Sequence, residues 1–224
     1  MKLRNECKHV ITECEIAQLR QRLKVVARYD PYSASNGDYQ IRSLYFDNCY
    51  DTILKEKIMG IGYREKFRIR FYNNNTEFIR LEKKSKINGL CMKQGTALNP
   101  EQVQSIINGD NLWMKNSDDE LIKELYAKMQ YQLLRPKNIV VYDREAFVYK
   151  PGNVRVTIDS NIRGSYNIYK FLTADEVDTK LFSKAILEVK WDEFLPQVIR
   201  DIVQLPNIKT SSFSKYAATR FSAF

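Results

Sequence analysis

Four cationic side chains recur at every second position between Arg64 and Arg70, in the segment REKFRIR. In a β-strand, a period of two places these cations on one face and Phe67 and Ile69 on the other. Same-face neighbours lie about 6–7 Å apart along a strand, which is close to the spacing of successive phosphates in a polyphosphate. Because aligned cations repel each other, they need a polyanion or solvent opposite them. The segment therefore predicts a phosphate-binding protein.

Other strand-like segments show the same alternation, with charged residues of both signs on one face. The charged faces carry Arg80, Glu82, Lys84 and Lys86; Arg155, Thr157 and Asp159; and Glu188 and Lys190. Two architectures satisfy this pattern. An open sheet would expose the charged face to water, and alternation alone favours it. A closed antiparallel barrel would turn that face inward around a wet bore. A strand count near eight and the excess of cations favour closure.

The elements that would carry these residues are readable from the sequence. Strands are predicted at residues 39–46, 63–72, 77–86, 138–149, 153–160 and 184–191, with weaker candidates at 4–12, 52–59 and 89–94. Helices are predicted after Thr12, which forms a capping-box pattern with Glu15, after Asn99 with Pro100, and after Ser117 with Glu120. A short helix is predicted from Thr173, and further helices at residues 196–205 and 213–221.

The composition fits a folded protein with an anionic partner. The 224 residues are 44% hydrophobic and 12% aromatic and carry a net charge of +9. Four cysteines without Cys-x-x-Cys spacing predict reduced thiols and a cytoplasmic location. His9 is the single histidine, which argues against a His-rich zinc site or a His-based catalytic triad. We find no signal-peptide pattern and no apolar run of about 18 residues, so no membrane span is expected in this chain.

Seven short motifs occur in an order that resembles one family. They are residues 42–48 (RSLYFDN), 64–72 (R-x-K-x-R-x-R-x-Y), 81–84 (LEKK), 142–147 (Y-x-R-x-AF), 155–159 (RVTID), 187–190 (LEVK) and 214–216 (SKY). Together they resemble the catalytic domain of the vacuolar transporter chaperone (VTC) complex, a polyphosphate polymerase of the triphosphate tunnel metalloenzyme (CYTH-like) superfamily. The resemblance covers about residues 3–220.

The resemblance implies a fold and an activity. The fold would be α+β, with a closed antiparallel β tunnel of about eight strands, a charged bore and helices packed outside, as a single domain over residues 1–224. The activity would be transfer of the γ-phosphate of ATP to a growing polyphosphate chain, with Mn²⁺ or Mg²⁺ as cofactor. ATP and polyphosphate would be the partners, and a membrane-spanning partner protein follows by analogy with the family.

The resemblance and the alternating cations of residues 64–70 suggest roles for individual residues. Arg68, Arg70 and Lys84 would be catalytic, and Glu188 would be the metal-associated carboxylate. The phosphate-binding residues would be Lys8, Lys57, Lys66, Lys93, Tyr142, Arg144, Arg155 and Lys215. A basic position of the fungal enzymes falls on Thr157, for which Arg155 could substitute from the same face. Glu82 and Asp159 are expected to pair with cations and hold them in place.

Two other functions stay open at this point. A tunnel triphosphatase acting on a nucleoside or other triphosphate is less favoured, because those enzymes begin with Glu-x-Glu-x-Lys and this chain has Arg4-x-Glu6-x-Lys8. A non-catalytic module that binds polyphosphate or inositol polyphosphate is the other alternative. Nucleic acid is not favoured, because Phe67 and Phe71 point away from the cations, where they could not stack on bases beside them.

Overall fold

The computed structural model describes residues 4–31, 37–87, 90–173, 179–182, 184–205 and 213–221. They form a mixed α+β fold with one antiparallel sheet. The strands are β1 (Asn5–Ile11), β2 (Arg28–Tyr29), β3 (Asp38–Asp47), β4 (Tyr63–Tyr72), β5 (Asn75–Ile87), β6 (Leu90–Leu98), β7 (Arg135–Tyr149), β8 (Val154–Ser165), β9 (Thr179–Phe182) and β10 (Ala185–Trp191). The helices are α1 (Glu13–Val26), α2 (Thr52–Ile58), α3 (Pro100–Asn108), α4 (Glu120–Tyr131), α5 (Gln197–Val203) and α6 (Lys215–Phe221).

The sheet runs in the order β1-β10-β8-β7-β3-β4-β5-β6, and β2 and β9 pair beside this path with β7 and β8. Its two ends approach each other, because Arg4, just before β1, forms an isolated antiparallel bridge with Cys91 of β6. Within the described ranges, no ladder continues from that bridge. The α+β fold with one antiparallel sheet is therefore confirmed, whereas full closure into a tunnel stays a prediction. The expectation that helices pack outside is met by α1, α3, α4 and α5, but α2 and α6 pack on the other face of the sheet.

A tight hairpin sets the register of the two most basic strands. Asn73 and Asn74 join β4 to β5 with φ values of 50° and 53°, and asparagine is one of the few residues that tolerate this left-handed conformation at both turn positions. The resulting register places Lys66 opposite Lys84 and Arg68 opposite Glu82. All four side chains consequently point to the same face.

The opposite face of the sheet is apolar and covered by helices. Phe67, Ile69 and Phe71 of β4 lie in a buried cluster with residues of α3 and α4, and a second cluster joins β1, β8 and β10 to α1 and α5. Burial of such large side chains stabilises the fold by roughly 1.5–3 kcal/mol each. The alternation in β4 therefore has the predicted outcome, with apolar residues against helices and cations on the other face. A third cluster on that other face includes Tyr45, Tyr142 and Tyr216.

Most helix starts follow the sequence signals. The capping boxes of Thr12 with Glu15 and of Asn99 with Gln102 both form. The start of α4 is two residues later than expected: Asp119 accepts hydrogen bonds from the Leu121 and Ile122 amides, while the Ser117 hydroxyl accepts one from the Asp119 amide.

One strand prediction was wrong, and one helix prediction lies outside the described residues. Residues 52–59 were a weak strand candidate, yet α2 occupies them. The Asp47 carboxylate accepts hydrogen bonds from the amides of Ile53 and Leu54 and so stabilises the helix start against the strand preference of β-branched residues. Most of the short helix expected from Thr173 falls on residues 174–178, which are not described.

Two further expectations can be compared with the structure. All four cysteines are free thiols, as predicted from the absence of Cys-x-x-Cys spacing. None of the described helices has the length and apolar character needed to cross a membrane.

Candidate functional site: a basic cavity on the concave face

Every strand on the main path of the sheet contributes to one cavity of about 330 Å³, and α6 adds Lys215. Among the described residues that line it, cations far outnumber carboxylates. The cations are Arg4, Lys8, Lys66, Arg68, Arg70, Lys84, Lys93, Arg144, Arg155, Lys190 and Lys215, and the carboxylates are Glu6, Glu82 and Glu188. The polar face of the sheet is therefore concave and strongly positive.

Eleven of the twelve predicted site residues line this cavity. The twelfth, Lys57 on α2, lines an adjoining cavity of about 450 Å³. The two cavities share Lys8, Lys66 and Lys84, so the basic surface is continuous from one to the other. The roles given to these residues stay predictions, but their convergence is a structural fact.

Glu82 on β5 organises one wall of the cavity. Its side chain is almost fully buried, and its oxygens lie 2.8 Å from Arg68 Nη2, 3.0 Å from Arg70 Nε and 2.5 Å from Lys93 Nζ. Burial would raise the pKa of Glu82, but the three cations lower it to about 2. Glu82 is thus ionised at neutral pH and acts as the predicted ion-pair partner that orients three cations.

Asp159 on β8 has the same function on the opposite wall. It is fully buried and accepts two hydrogen bonds from the Arg144 guanidinium, at 2.6 and 2.7 Å, and it also pairs with Lys215. The Arg144 and Lys215 cations lie 5.4 and 4.6 Å from the centre of the Tyr142 ring. Burial raises the pKa of Tyr142 to about 12, so its hydroxyl stays protonated and can donate a hydrogen bond to an anion.

Glu188 on β10 is surrounded by cations. Its oxygens lie 3.3 Å from Lys8 Nζ, 3.4 Å from Lys190 Nζ and 3.6 Å from Arg144 Nη2. Burial would raise its pKa, but Lys190, Lys8 and Arg144 hold the pKa well below the usual range. Glu6, one strand away, pairs with Lys8 at 3.1 Å and reaches Lys84 on β5 at 2.8 Å. The Glu6–Lys84 pair joins strands near opposite ends of the sheet order, which shows how strongly the sheet curves.

The chemistry of this region limits how a metal could bind. In the part of the chain that the structure describes, no group of three or more His, Cys, Asp or Glu side chains is arranged to hold a metal ion. Glu188 could supply one carboxylate oxygen. Mg²⁺ is commonly held by one or two carboxylates together with substrate phosphates and water, so Glu188 fits a metal that arrives with a phosphate ligand. It does not fit a metal held by protein alone.

Arg155 lies in the cavity as predicted, on the same face as Thr157. Its guanidinium pairs with Asp30 at 2.6 Å and donates a hydrogen bond to the Tyr39 hydroxyl at 2.8 Å. The Thr157 hydroxyl is buried and has no hydrogen-bond partner among the described residues. Arg155 thus already has an ion-pair partner in the cavity, and its substitution for the basic position at Thr157 stays a prediction.

The sequence-based prediction missed several residues that line the cavity. Lys190 was placed on the same strand face as Glu188, and Glu6 was noted in the Arg4-x-Glu6-x-Lys8 pattern, but neither was assigned to the site. Arg4 also lines the cavity, and Tyr45 accepts a hydrogen bond from Arg68 Nη1 at 3.1 Å. The alternation that identified Arg68 and Arg70 could have identified Lys190 and Glu6, since each lies two residues from a predicted site residue.

Two helices add cations to the concave side, and Asp47 at the end of β3 connects them. The Asp47 carboxylate accepts hydrogen bonds from the first amides of α2 and, at 2.5 Å, from the Tyr216 hydroxyl of α6. Lys57 belongs to α2, and Lys215 is the residue before Tyr216. Asp47 thereby holds the first turn of α2, the helix that carries Lys57, and the Tyr216 side chain next to Lys215.

Comparison with known proteins agrees with this architecture. The family model of the VTC domain matches residues 3–224. The chain belongs to the VTC domain family. This confirms the resemblance that the seven motifs indicated. No curated protein matches the chain significantly.

Solved structures similar to this VTC domain share its fold at low sequence identity. A Bacillus halodurans protein described as a candidate adenylate cyclase has a TM-score of 0.55 and 12% identity over 92% of this chain and 94% of its own. The PH1012 protein of Pyrococcus horikoshii OT3 has a TM-score of 0.52 and 9% identity, covering 95% of this chain and 96% of its own. The PH1819 protein of the same organism has a TM-score of 0.50 and 10% identity, covering 99% of both chains. At these identities the similarity concerns the fold alone.

Proposed function

We propose that this VTC domain is a polyphosphate polymerase that transfers the γ-phosphate of ATP to a growing polyphosphate chain. The observation that carries the proposal is the convergence of cations from seven of the eight strands of the main sheet path on one concave face, to which β3 adds Tyr45. Such an arrangement repels itself unless an anion of high charge density binds there. Family membership supports the same reaction class.

The site can stabilise phosphoryl transfer without covalent chemistry from the protein. This reaction needs in-line positioning and cations placed where negative charge develops on the transferred group. Glu82 and Asp159 already hold Arg68, Arg70, Arg144 and Lys215 in place, so little reorganisation is needed when the phosphates arrive. Arginine forks can bind two phosphate oxygens each, and lysines act as compact charges.

A terminal phosphate of the acceptor is already ionised at neutral pH, so the reaction needs no general base. The single histidine is therefore no obstacle. In this proposal the catalytic cations are Arg68 and Arg70 on β4 and Lys84 on β5, which face the same cavity. The other cations and the Tyr142 hydroxyl bind the remaining phosphates.

The adjoining cavity favours a polymer over a short triphosphate. Lys57, Arg64 and Lys86 line it together with the shared Lys66 and Lys84. A cationic surface that extends over both cavities could bind more phosphates than a nucleoside triphosphate carries. A small-triphosphate hydrolase would have no use for the additional cations.

A divalent cation, Mn²⁺ or Mg²⁺, would bind through Glu188 and the phosphate oxygens. When bound, it would offset charge on the phosphates of the donor. Lys8 and Lys190 contact Glu188, and they could contact phosphate instead once the carboxylate binds the metal.

The activity test is incubation of pure protein with ATP and Mn²⁺, followed by separate measurement of long acid-labile phosphate chains and free phosphate. Long chains are expected. Stoichiometric free phosphate would support the triphosphatase, and tight tripolyphosphate binding without turnover would support the non-catalytic module. Lys84→Ala should abolish chain synthesis, whereas Lys123→Ala, which changes an exposed lysine on α4, should leave it unchanged.

A further inference from the structure

Lys66 differs from the other cations of the 330 Å³ cavity. Each of the others forms an ion pair with a carboxylate; for example, Lys8 and Lys84 both pair with Glu6. Lys66 has no described carboxylate within ion-pair distance. Its ammonium instead lies 5.6 Å from the centre of the Tyr45 ring, and directly across the β4–β5 ladder stands another lysine, Lys84.

The groups around Lys66 are mostly cationic. It lines both cavities. The charged or titratable residues that line them from the nearby elements are Arg64, Glu65, Arg68 and Arg70 on its own strand, Glu82, Lys84 and Lys86 on β5, Cys91 and Lys93 on β6, Glu6, Cys7 and Lys8 on β1, Tyr45 on β3, Lys57 on α2, and Lys215 and Tyr216 on α6. Glu6 is already paired with Lys8 and Lys84, and Glu65 is paired with Lys83 and Lys128 on the other face. Glu82 is likewise paired with Arg68, Arg70 and Lys93, so none of the described carboxylates that line the cavities forms an ion pair with Lys66.

Burial and like charges act in the same direction on this side chain. Burial lowers the pKa of Lys66, and Lys84, Lys8 and Arg68 lower it further, so that the pKa lies well below the usual 10.5 even though Glu6 opposes the shift. A bound anion would attract the Lys66 ammonium and compensate for its burial. It would therefore raise the pKa of Lys66 again.

We propose that Lys66 is a neutral amine in the empty cavity and takes up one proton when a polyphosphate-type anion binds. The inference rests on the proposed function, because it requires that such anions bind in this cavity. The proton comes from solvent, forms an N–H bond at Nζ and turns the amine into an ammonium ion that contacts phosphate. No other bond changes.

The proposal fixes the sign of the pH dependence. If binding takes up a proton, affinity must fall as the pH rises through the range between the pKa of Lys66 in the empty and in the occupied cavity. The neutral amine also reduces repulsion among the cations before the ligand arrives. Lys66 would therefore lower the electrostatic strain of the empty site and still contribute a charge to the occupied one.

Isothermal titration calorimetry with inorganic tripolyphosphate, without metal, tests this. Titrations at one pH in buffers of different ionisation enthalpy give the number of protons taken up per ligand. Lys66→Arg is the matched variant, because a guanidinium keeps its charge in both states. Protonation changes of the ligand itself and of Lys190, whose pKa is about 8, occur in both proteins and cancel in the comparison.

We expect the wild type to take up more protons than Lys66→Arg, by a difference approaching about one per ligand. We also expect the affinity ratio of wild type to Lys66→Met to be largest at low pH and to shrink as the pH rises. Equal proton uptake in wild type and Lys66→Arg would overturn the inference while leaving the proposed function intact. Absence of tripolyphosphate binding in the wild type would instead refute the proposed function.

A measurement without ligand tests directly whether Lys66 is a neutral amine before an anion binds. In an NMR titration of ¹³Cε-labelled lysines, assigned with the Lys66→Arg variant, Lys66 should titrate well below the exposed lysines. A Lys66 resonance that titrates at about 10.4, the usual value for lysine, would overturn the inference.

Discussion

Replacing Glu82 with glutamine should destabilise the native state strongly, because one buried carboxylate neutralises three cations there. Its pKa falls from 4.5 to about 2 in the folded protein. At about 1.4 kcal/mol per pKa unit, this shift corresponds to about 3 kcal/mol of stabilisation at neutral pH. Glu82→Gln keeps the shape of the side chain but removes the charge, so Arg68, Arg70 and Lys93 would repel each other without compensation.

Urea denaturation of wild type and Glu82→Gln at a series of pH values measures this contribution. A carboxylate with a lowered pKa stabilises the fold above its unfolded pKa and loses that effect as the pH falls towards the folded value. The difference in unfolding free energy should therefore be full above pH 4.5, decrease below it and vanish near pH 2. Tripolyphosphate should restore part of the lost stability, because its charges replace that of Glu82.

Glu120→Gln is the matched control. Glu120 is a largely exposed carboxylate on α4 that pairs with Lys123, and exposed pairs of this kind contribute only about 0–1 kcal/mol. Equal stability losses in Glu82→Gln and Glu120→Gln at pH 7 would refute the reasoning, and so would a difference that does not change with pH.

Three further expectations concern other parts of the cavity. Arg70→Ala should lower chain synthesis by about 100–1,000-fold with little change in Tm, because Glu82 keeps two other cations; a large Tm drop with intact activity would make Arg70 structural. Glu188→Gln should weaken the Mn²⁺ dependence of initial rates, and an unchanged Mn²⁺ response would remove Glu188 from the metal site. Asp159→Asn should cost about 3–5 kcal/mol in urea denaturation, because it removes the buried carboxylate that accepts two hydrogen bonds from Arg144 and pairs with Lys215; stability close to wild type would contradict this.

Strand alternation predicted much of the site because side-chain direction in a strand depends only on position parity. The face of Arg68 and Arg70 follows from their two-residue spacing, whatever the curvature of the sheet. The same reasoning correctly placed Lys84 and Glu188 on the charged face of the sheet. It could not show that β1 and β6 approach each other, because the Arg4–Cys91 bridge joins residues far apart in the sequence.

Helix predictions succeeded where the signal was local and failed where it was not. The capping box of Thr12 with Glu15 involves four consecutive residues, and it forms. Residues 52–59 read as a possible strand because Thr52 and Ile53 are β-branched, but Asp47 stabilises a helix start there. Lys57 therefore reaches the site from a helix rather than from a strand, which sequence periodicity could not reveal.

The hydrogen bonds of Asp47 connect two helices that the chain separates by more than 150 residues. A substitution at Asp47 would release the amino-terminal turn of α2 and the Tyr216 hydroxyl together. The helices that carry Lys57 and Lys215 would then both lose a fixed contact, although neither lysine had been replaced. Impaired turnover in an Asp47 variant would accordingly report misplaced lysines and would not by itself identify Asp47 as a group that touches phosphate.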